Sequence, residues 1–138
     1  MAVINKMSLR SWMRADRRAI LFAIIKPLAQ ISSWLLLGLI TVLNVVPPAF
    51  RPVTNTPHDL EHFAIFFITG AAFSLGYELR IVRAFLAAIL YCAAIELLQN
   101  ISPGRHARLS DFIVDSAGAC VGIALATLLK RSVLKQEN

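Results

Sequence analysis

The sequence predicts an all-α polytopic membrane protein, a compact antiparallel bundle of four transmembrane helices, and three observations carry that expectation. Hydrophobic residues make up 57% of the 138-residue chain and the mean hydropathy is +0.66, more apolar side chain than a soluble domain of this size hides. The apolar residues gather in four runs, at 28–46, 60–77, 81–99 and 111–129, each about 18 to 20 residues long, the length a helix needs to cross a hydrocarbon core roughly 30 Å thick. The runs do not alternate strictly in polarity, and continuous hydrophobicity favours helices, which satisfy their own backbone hydrogen bonds where water is absent.

Ahead of the first run, Lys6, Arg10, Arg14, Arg17, Arg18 and Lys26 are interleaved with Trp12, Met13, Ile20, Leu21 and Ile24. Residues 9–26 can form an N-terminal interfacial helix lying on the membrane surface, or a frayed basic tail, and composition leaves both open. No small-residue cleavage pattern follows the run at 28–46, which therefore reads as a retained span and not as a signal peptide. Val46-Pro47-Pro48, Arg51-Pro52 and Pro57 break the chain after the first run, residues 78–80 form a short turn after the second, and Ser102-Pro103-Gly104 separates the third from the fourth. Short links make consecutive helices antiparallel neighbours. The expected organisation is a basic cytoplasmic or interfacial segment over 1–27, a four-helix transmembrane domain over 28–130 and a cytoplasmic tail over 131–138.

The 14 Lys and Arg against 8 Asp and Glu give a net charge of +6. That excess sits in tails and turns and not on one folded face, which argues for the lipid bilayer as partner and against nucleic acid; protein partners are not specified. Cations are enriched on the cytoplasmic side of membrane proteins. With the N-terminus inside, the six N-terminal cations, Arg80, Arg83, Lys130, Arg131 and Lys135 are cytoplasmic, leaving Arg51, Arg105 and Arg108 outside. The expectation is a multi-pass inner (plasma) membrane protein with both termini cytoplasmic. Cys92 and Cys120 lie one per apolar run with no CxxC spacing, and read as packing residues.

In that topology Asp59, Glu61, Glu96, Asp111 and Asp115, five of the 8 acids, fall at the outer ends of spans two to four, together with His58, His62, Gln99, Arg105, His106 and Arg108. His58 and His62 are spaced i, i+4, as are Asp111 and Asp115, and Glu96 and Gln99 are i, i+3, so each pair shares a helix face. Glu96 and Asp115 lie about one turn into the bilayer, where an ionised carboxylate must face the bundle interior and find a partner. Such residues mark function by default, although a buried ion-pair network that only docks helix ends would look the same. Asp111 is an N-cap or first-turn acid in the plainest reading, and Gly118, Gly122 and Ala126 form a small-residue stripe for helix packing. Phe63, Phe66, Phe67 and Phe73 are expected to face lipid or core, and Trp12, Trp34 and Tyr77 to anchor at the interface. There is no GxSxG, P-loop or HExxH, and Ser102 and Ser110 near His106 make a weak triad.

His62-Phe63 opening a span, Glu96-Leu97-Leu98-Gln99, Pro103-Gly104-Arg105, and Asp111 with Asp115 and Gly118 occur in order and at close spacing. This combination, over roughly residues 28–130, resembles the VanZ-like membrane proteins, and implies that His62, Glu96, Gln99, Pro103, Gly104, Arg105, Asp111, Asp115 and Gly118 occupy family positions. Relatives commonly carry Asp-Lys three to four residues before the histidine, where this chain has His58-Asp59, and Asn where it has Asp115. The biochemical activity of the family is poorly defined, and the teicoplanin resistance associated with its namesake does not transfer, because a shared fold does not fix a substrate.

The leading expectation is an outward-facing polar pocket recognising an envelope lipid or lipid-linked cell-wall intermediate, a polyprenyl phosphate or another anionic lipid. Arg105, Arg108, Gln99, Asp111, His58 and Asp59 are the candidate binding residues. The alternatives are a metal-assisted membrane enzyme acting on a lipid phosphate or pyrophosphate, and a structural or assembly protein whose polar cluster only fixes packing. For the enzyme, His62, Glu96 and Asp115 are the catalytic candidates, and Glu96, Asp111, Asp115 and His62 the candidate ligands of a divalent metal ion.

Overall fold

The computed structural model describes residues 6–46, 56–101 and 107–135. They form four helices, α1 (Lys6–Val45), α2 (His58–Gly76), α3 (Ile81–Gln99) and α4 (Leu109–Lys135), with no strand among the described residues. Three segments are long and apolar enough to cross a membrane, Phe22–Val45, Ile81–Gln99 and Leu109–Val133, as expected of a multi-pass membrane protein. The helix α2 is not among the three, because four of its first five residues, His58, Asp59, Glu61 and His62, are ionisable.

At 1.5 Å per residue the 40 residues of α1 extend about 60 Å, twice the thickness of the hydrocarbon core. The basic stretch and the first span are therefore one helix running through Pro27. Pro57 precedes α2 in an extended conformation (φ −56°, ψ 131°), and Asp59 and Glu61 in the first turn complement the helix dipole. The extended conformation of Tyr77 ends α2, with its N–H bonded to the Phe73 carbonyl. Arg80, also extended, precedes α3.

Consecutive helices run antiparallel, but the packing order around the bundle is α1, α2, α4, α3. The most extensive interface lies between α2 and α4, followed by α1 with α2 and α3 with α4, and α1 touches α3 lightly. Because α2 and α4 both start at the same end of the bundle, this largest interface is between parallel helices, a pairing that short links do not suggest. The small-residue stripe explains it. A Cβ on Gly118 would stand 2.5 Å from the Phe63 carbonyl oxygen, and Cβ atoms on Gly122 and Gly70 would collide with the carbonyl oxygens of Phe67 and Ala119. The two backbones thus touch directly, as small residues permit where hydrocarbon solvent offers no hydrophobic drive for helices to associate.

Ile40, Phe66, Cys92 and Ala119, one from each helix, form the buried core. At the end where α1 meets the α2–α3 link, Trp34 Nε1 donates to Tyr77 Oη at 2.7 Å, Gln30 Nε2 donates to the Gly76 carbonyl at 3.0 Å, and Lys26 pairs with Glu78 at 3.4 Å on the surface. The opposite end carries the polar side chains described below.

A Gly122→Ala substitution is predicted to force α2 and α4 apart and to cost roughly 1–3 kcal/mol, the usual range for overpacking. Gly38→Ala, with nothing within 4 Å of the added Cβ, should leave stability unchanged or slightly raised through helix propensity. Unfolding of the two variants in detergent would check this, and equal midpoints would refute it.

Candidate functional site

Parallel register between α2 and α4 brings two i, i+4 pairs face to face. His62 Nδ1 lies 2.9 Å from Asp115 Oδ1, and one turn nearer the end of the bundle His58 Nε2 lies 3.6 Å from Asp111 Oδ2. The two imidazoles are 4.2 Å apart, centre to centre, so the pairs are stacked rungs of one ladder. Burial grades along it. The side chain of His58 is 47% exposed against 12% for His62, and those of Asp111 and Asp115 are 6% and 1% exposed. The acids therefore stand behind the histidines. His62 Nδ1 and the Asp115 carboxyl group share a hydrogen bond, which holds the imidazole against α4.

Asp111 lies in the first turn of α4 and not at its N-cap. Its Oδ1 also accepts from Ser110 Oγ at 2.9 Å. The start of α4 is secured instead by α3, since Glu96 Oε1 accepts the backbone N–H of Arg108 through a short hydrogen bond and Asn100 Oδ1 accepts that of Ala107 at 2.9 Å. Orphan N–H groups at a helix start need such partners.

Behind this lies a second, buried chain. Gln99 Nε2 donates to Asn44 Oδ1 at 2.8 Å and to Glu96 Oε2 at 3.2 Å, and Asn44 Nδ2 donates to the Ile40 carbonyl at 2.9 Å. Asn44, Glu96 and Gln99 are all buried, so this chain ties the ends of α1 and α3 together. Glu96 also stands within electrostatic reach of Asp111, Asp115 and His62.

Of the residues expected to make a site, the structure gathers His58, His62, Glu96, Gln99, Asp111 and Asp115 into one layer, with Arg108 exposed at its rim and Asp59 exposed at the start of α2. Gln99 is spent on internal hydrogen bonds. Arg51, Pro103, Gly104, Arg105 and His106 lie outside the described residues. Among the described residues no three His, Cys, Asp or Glu side chains form a group fit to hold a metal. Asn44 was not among the expected residues. Its signal was a lone amide at the polar end of an otherwise apolar run, at the same depth as Gln99. Asp115 Oδ2 and Ser116 Oγ are buried with no hydrogen-bond partner among the described residues. Cys92 and Cys120 are free thiols.

A family model described as VanZ/LLP1 matches residues 4–130, which takes in α1, α2, α3, all but the last five residues of α4 and every residue of the polar layer. The chain belongs to the VanZ/LLP1 family. No curated protein and no solved structure matches it. The VanZ/LLP1 bundle described here thus gathers these polar residues at one end, in a ladder of two His–Asp pairs and a buried amide–carboxylate chain.

Removing one partner of a buried pair strands the other, at a typical cost of about 3–5 kcal/mol, whereas replacing both by apolar side chains is near neutral. Asp115→Leu is accordingly predicted to destabilise the protein severely, and His62→Leu with Asp115→Leu to recover most of that loss. A double-mutant cycle of unfolding in detergent measures it, and a double variant no more stable than Asp115→Leu would contradict the pairing.

Proposed function

We propose that this VanZ/LLP1 protein is a four-span inner membrane protein whose polar end faces outward and recognises the anionic head group of an envelope lipid, a polyprenyl phosphate in the first instance. In this reading α2 is the fourth span, held in the membrane by its contact with α4, and both termini are cytoplasmic. The inward placement of the N-terminus rests on the excess of Lys and Arg in the terminal segments and at Arg80 and Arg83, in and just after the 78–80 turn.

The observation that carries the reading is the order of exposure. Asp111, Asp115 and Glu96 are buried and each is engaged, by His58, His62 and the Arg108 N–H respectively. The groups left at the surface include the imidazole of His58, the side chain of Arg108 and the carboxylate of Asp59. Arg108 and His58 therefore stand where each can donate outward, although the layer behind them is rich in acids. Arg108, with Arg105 nearby in sequence, is suited to phosphate oxygens, and His58 adds a donor. His62, oriented by Asp115, is the group fitted to move a proton.

Binding is better supported than catalysis. A metal-assisted reaction on the lipid phosphate would need ligands beyond the His62–Asp115 pair, and elemental analysis of protein purified without chelators would test it. The packing reading is supported for part of the layer only. The chain Asn44–Gln99–Glu96 is bonded within the bundle, whereas His58 and Arg108 are exposed beyond any docking need.

Purified protein in nanodiscs is expected to bind polyprenyl phosphate, with affinity reduced about tenfold, or 1.4 kcal/mol, by Arg108→Ala and by Arg105→Ala. Unchanged affinity in both variants would dismiss head-group recognition. A single cysteine placed at Pro103, in a chain with Cys92 and Cys120 replaced by serine, should react with a membrane-impermeant maleimide from outside intact cells. Labelling only after permeabilisation would reverse the orientation.

A further inference from the structure

Directly beneath the ladder the bundle holds a cavity of about 260 Å³ with almost wholly apolar walls. All four helices contribute, α1 with Leu37, α2 with Phe66 and Phe73, α3 with Ala84 and Ala88, and α4 with Ile123. The cavity exists because α2 and α3, although joined by a short link, are not packed against each other as the other neighbours are, and because alanines on the facing side of α3 do not reach across. Its lining on α3 runs from Ala84 to Cys92, about 12 Å at 1.5 Å per residue. Ala87 at its edge is exposed, which places the mouth at the gap between α2 and α3, toward the bilayer.

Phe66 lies between the cavity and the polar layer. Its ring lies 6.4 Å from that of His62, nearly parallel to it, and the same ring lines the cavity. A ligand reaching both compartments must be polar at one end and hydrocarbon over the next 12 Å or so. We propose that the cavity binds the proximal part of a single prenyl chain whose phosphate occupies the polar end, an assignment that rests on the head-group reading above and extends it to the tail. One chain is specified by size, since 260 Å³ falls below the roughly 300–1,000 Å³ of pockets that take drug-sized ligands, and two acyl chains side by side would not enter. Apolar walls with no polar group to satisfy select hydrocarbon over water.

The test uses the full-length protein in detergent with three probes, farnesyl phosphate, farnesol and a diacyl phosphatidic acid. Ala88→Phe, which puts a ring into the cavity, is expected to weaken farnesyl phosphate and farnesol about tenfold each, whereas Arg108→Ala should weaken only the phosphate. Equal binding of farnesol to the wild type and to Ala88→Phe would overturn the cavity assignment, while a retained Arg108→Ala effect would still uphold head-group recognition. Loss of both probes in Ala88→Phe with no effect of Arg108→Ala would uphold the cavity and dismiss the head-group reading. Phosphatidic acid displacing farnesyl phosphate with equal potency would overturn the single-chain specification. Should Ala88→Phe fail to fold, a diazirine-bearing farnesyl phosphate can be crosslinked to the wild type. Adducts at Phe66–Phe73 and Ala84–Cys92 are expected, and adducts confined to outward-facing residues such as Leu35, Leu86 and Leu128 would refute the site.

Discussion

The backbone contact between α2 and α4 is the constraint on which the other features depend. In a lipid solvent two helices associate through close packing and polar contacts, and here Gly70, Gly118 and Gly122 let carbonyl oxygens of one helix approach where a Cβ of the other would stand. That contact fixes both the distance and the register of the pair. His62 then falls opposite Asp115, and the same 53-residue offset recurs roughly three turns below, where Ser74 Oγ and Thr127 Oγ1 share a hydrogen bond at 2.8 Å. A shift of one residue in either helix would rotate both acids away from both histidines, leaving buried carboxylates without partners. The glycines and the ladder therefore specify the same alignment, and each penalises departures the other would tolerate.

The contact also explains how α2 is held. Its first two turns carry His58, Asp59, Glu61 and His62, a composition that would draw that end of an isolated helix into water. Packing against α4 buries the two rungs most deeply where they can pair, and α1 covers a second side of α2 through the Gln30–Gly76 and Trp34–Tyr77 contacts. The helix most poorly suited to lipid by composition is thus the one with the largest shared interface.

Much of this was legible in the chain. Helix positions followed from run lengths, because a span must cover the hydrocarbon thickness, and α3 coincides with the run at 81–99. The i, i+4 spacing of the histidines and of the aspartates was sufficient to place each pair on one face. What spacing could not reveal was which faces meet. Connectivity suggested antiparallel neighbours, whereas the decisive interface joins helices two apart in sequence, and only the glycine backbone contacts single it out. Asn44 was overlooked because a lone amide has no periodic partner in its own helix, its partner Gln99 being 55 residues away. The continuity of α1 through Pro27 was equally hidden, since proline reads as a break unless the flanking residues retain helix-forming strength.

The polar layer is best understood as two structures with different physical roles. Asn44, Gln99 and Glu96 form a chain in which Gln99 Nε2 and Asn44 Nδ2 donate to groups of the same bundle, and its removal would expose unsatisfied polar atoms in a low-dielectric setting, where each typically costs about 1–3 kcal/mol. That chain rigidifies the ends of α1 and α3 and, through the Arg108 N–H, the start of α4. The His–Asp ladder differs because it is graded, from a half-exposed imidazole at the rim to a carboxylate that is 1% exposed. A network meant only for packing has no need of such a gradient, since its outermost rung gains little in water. The proposed head-group site would use it, with exposed donors to engage the ligand and a buried, prealigned acid to hold those donors in place.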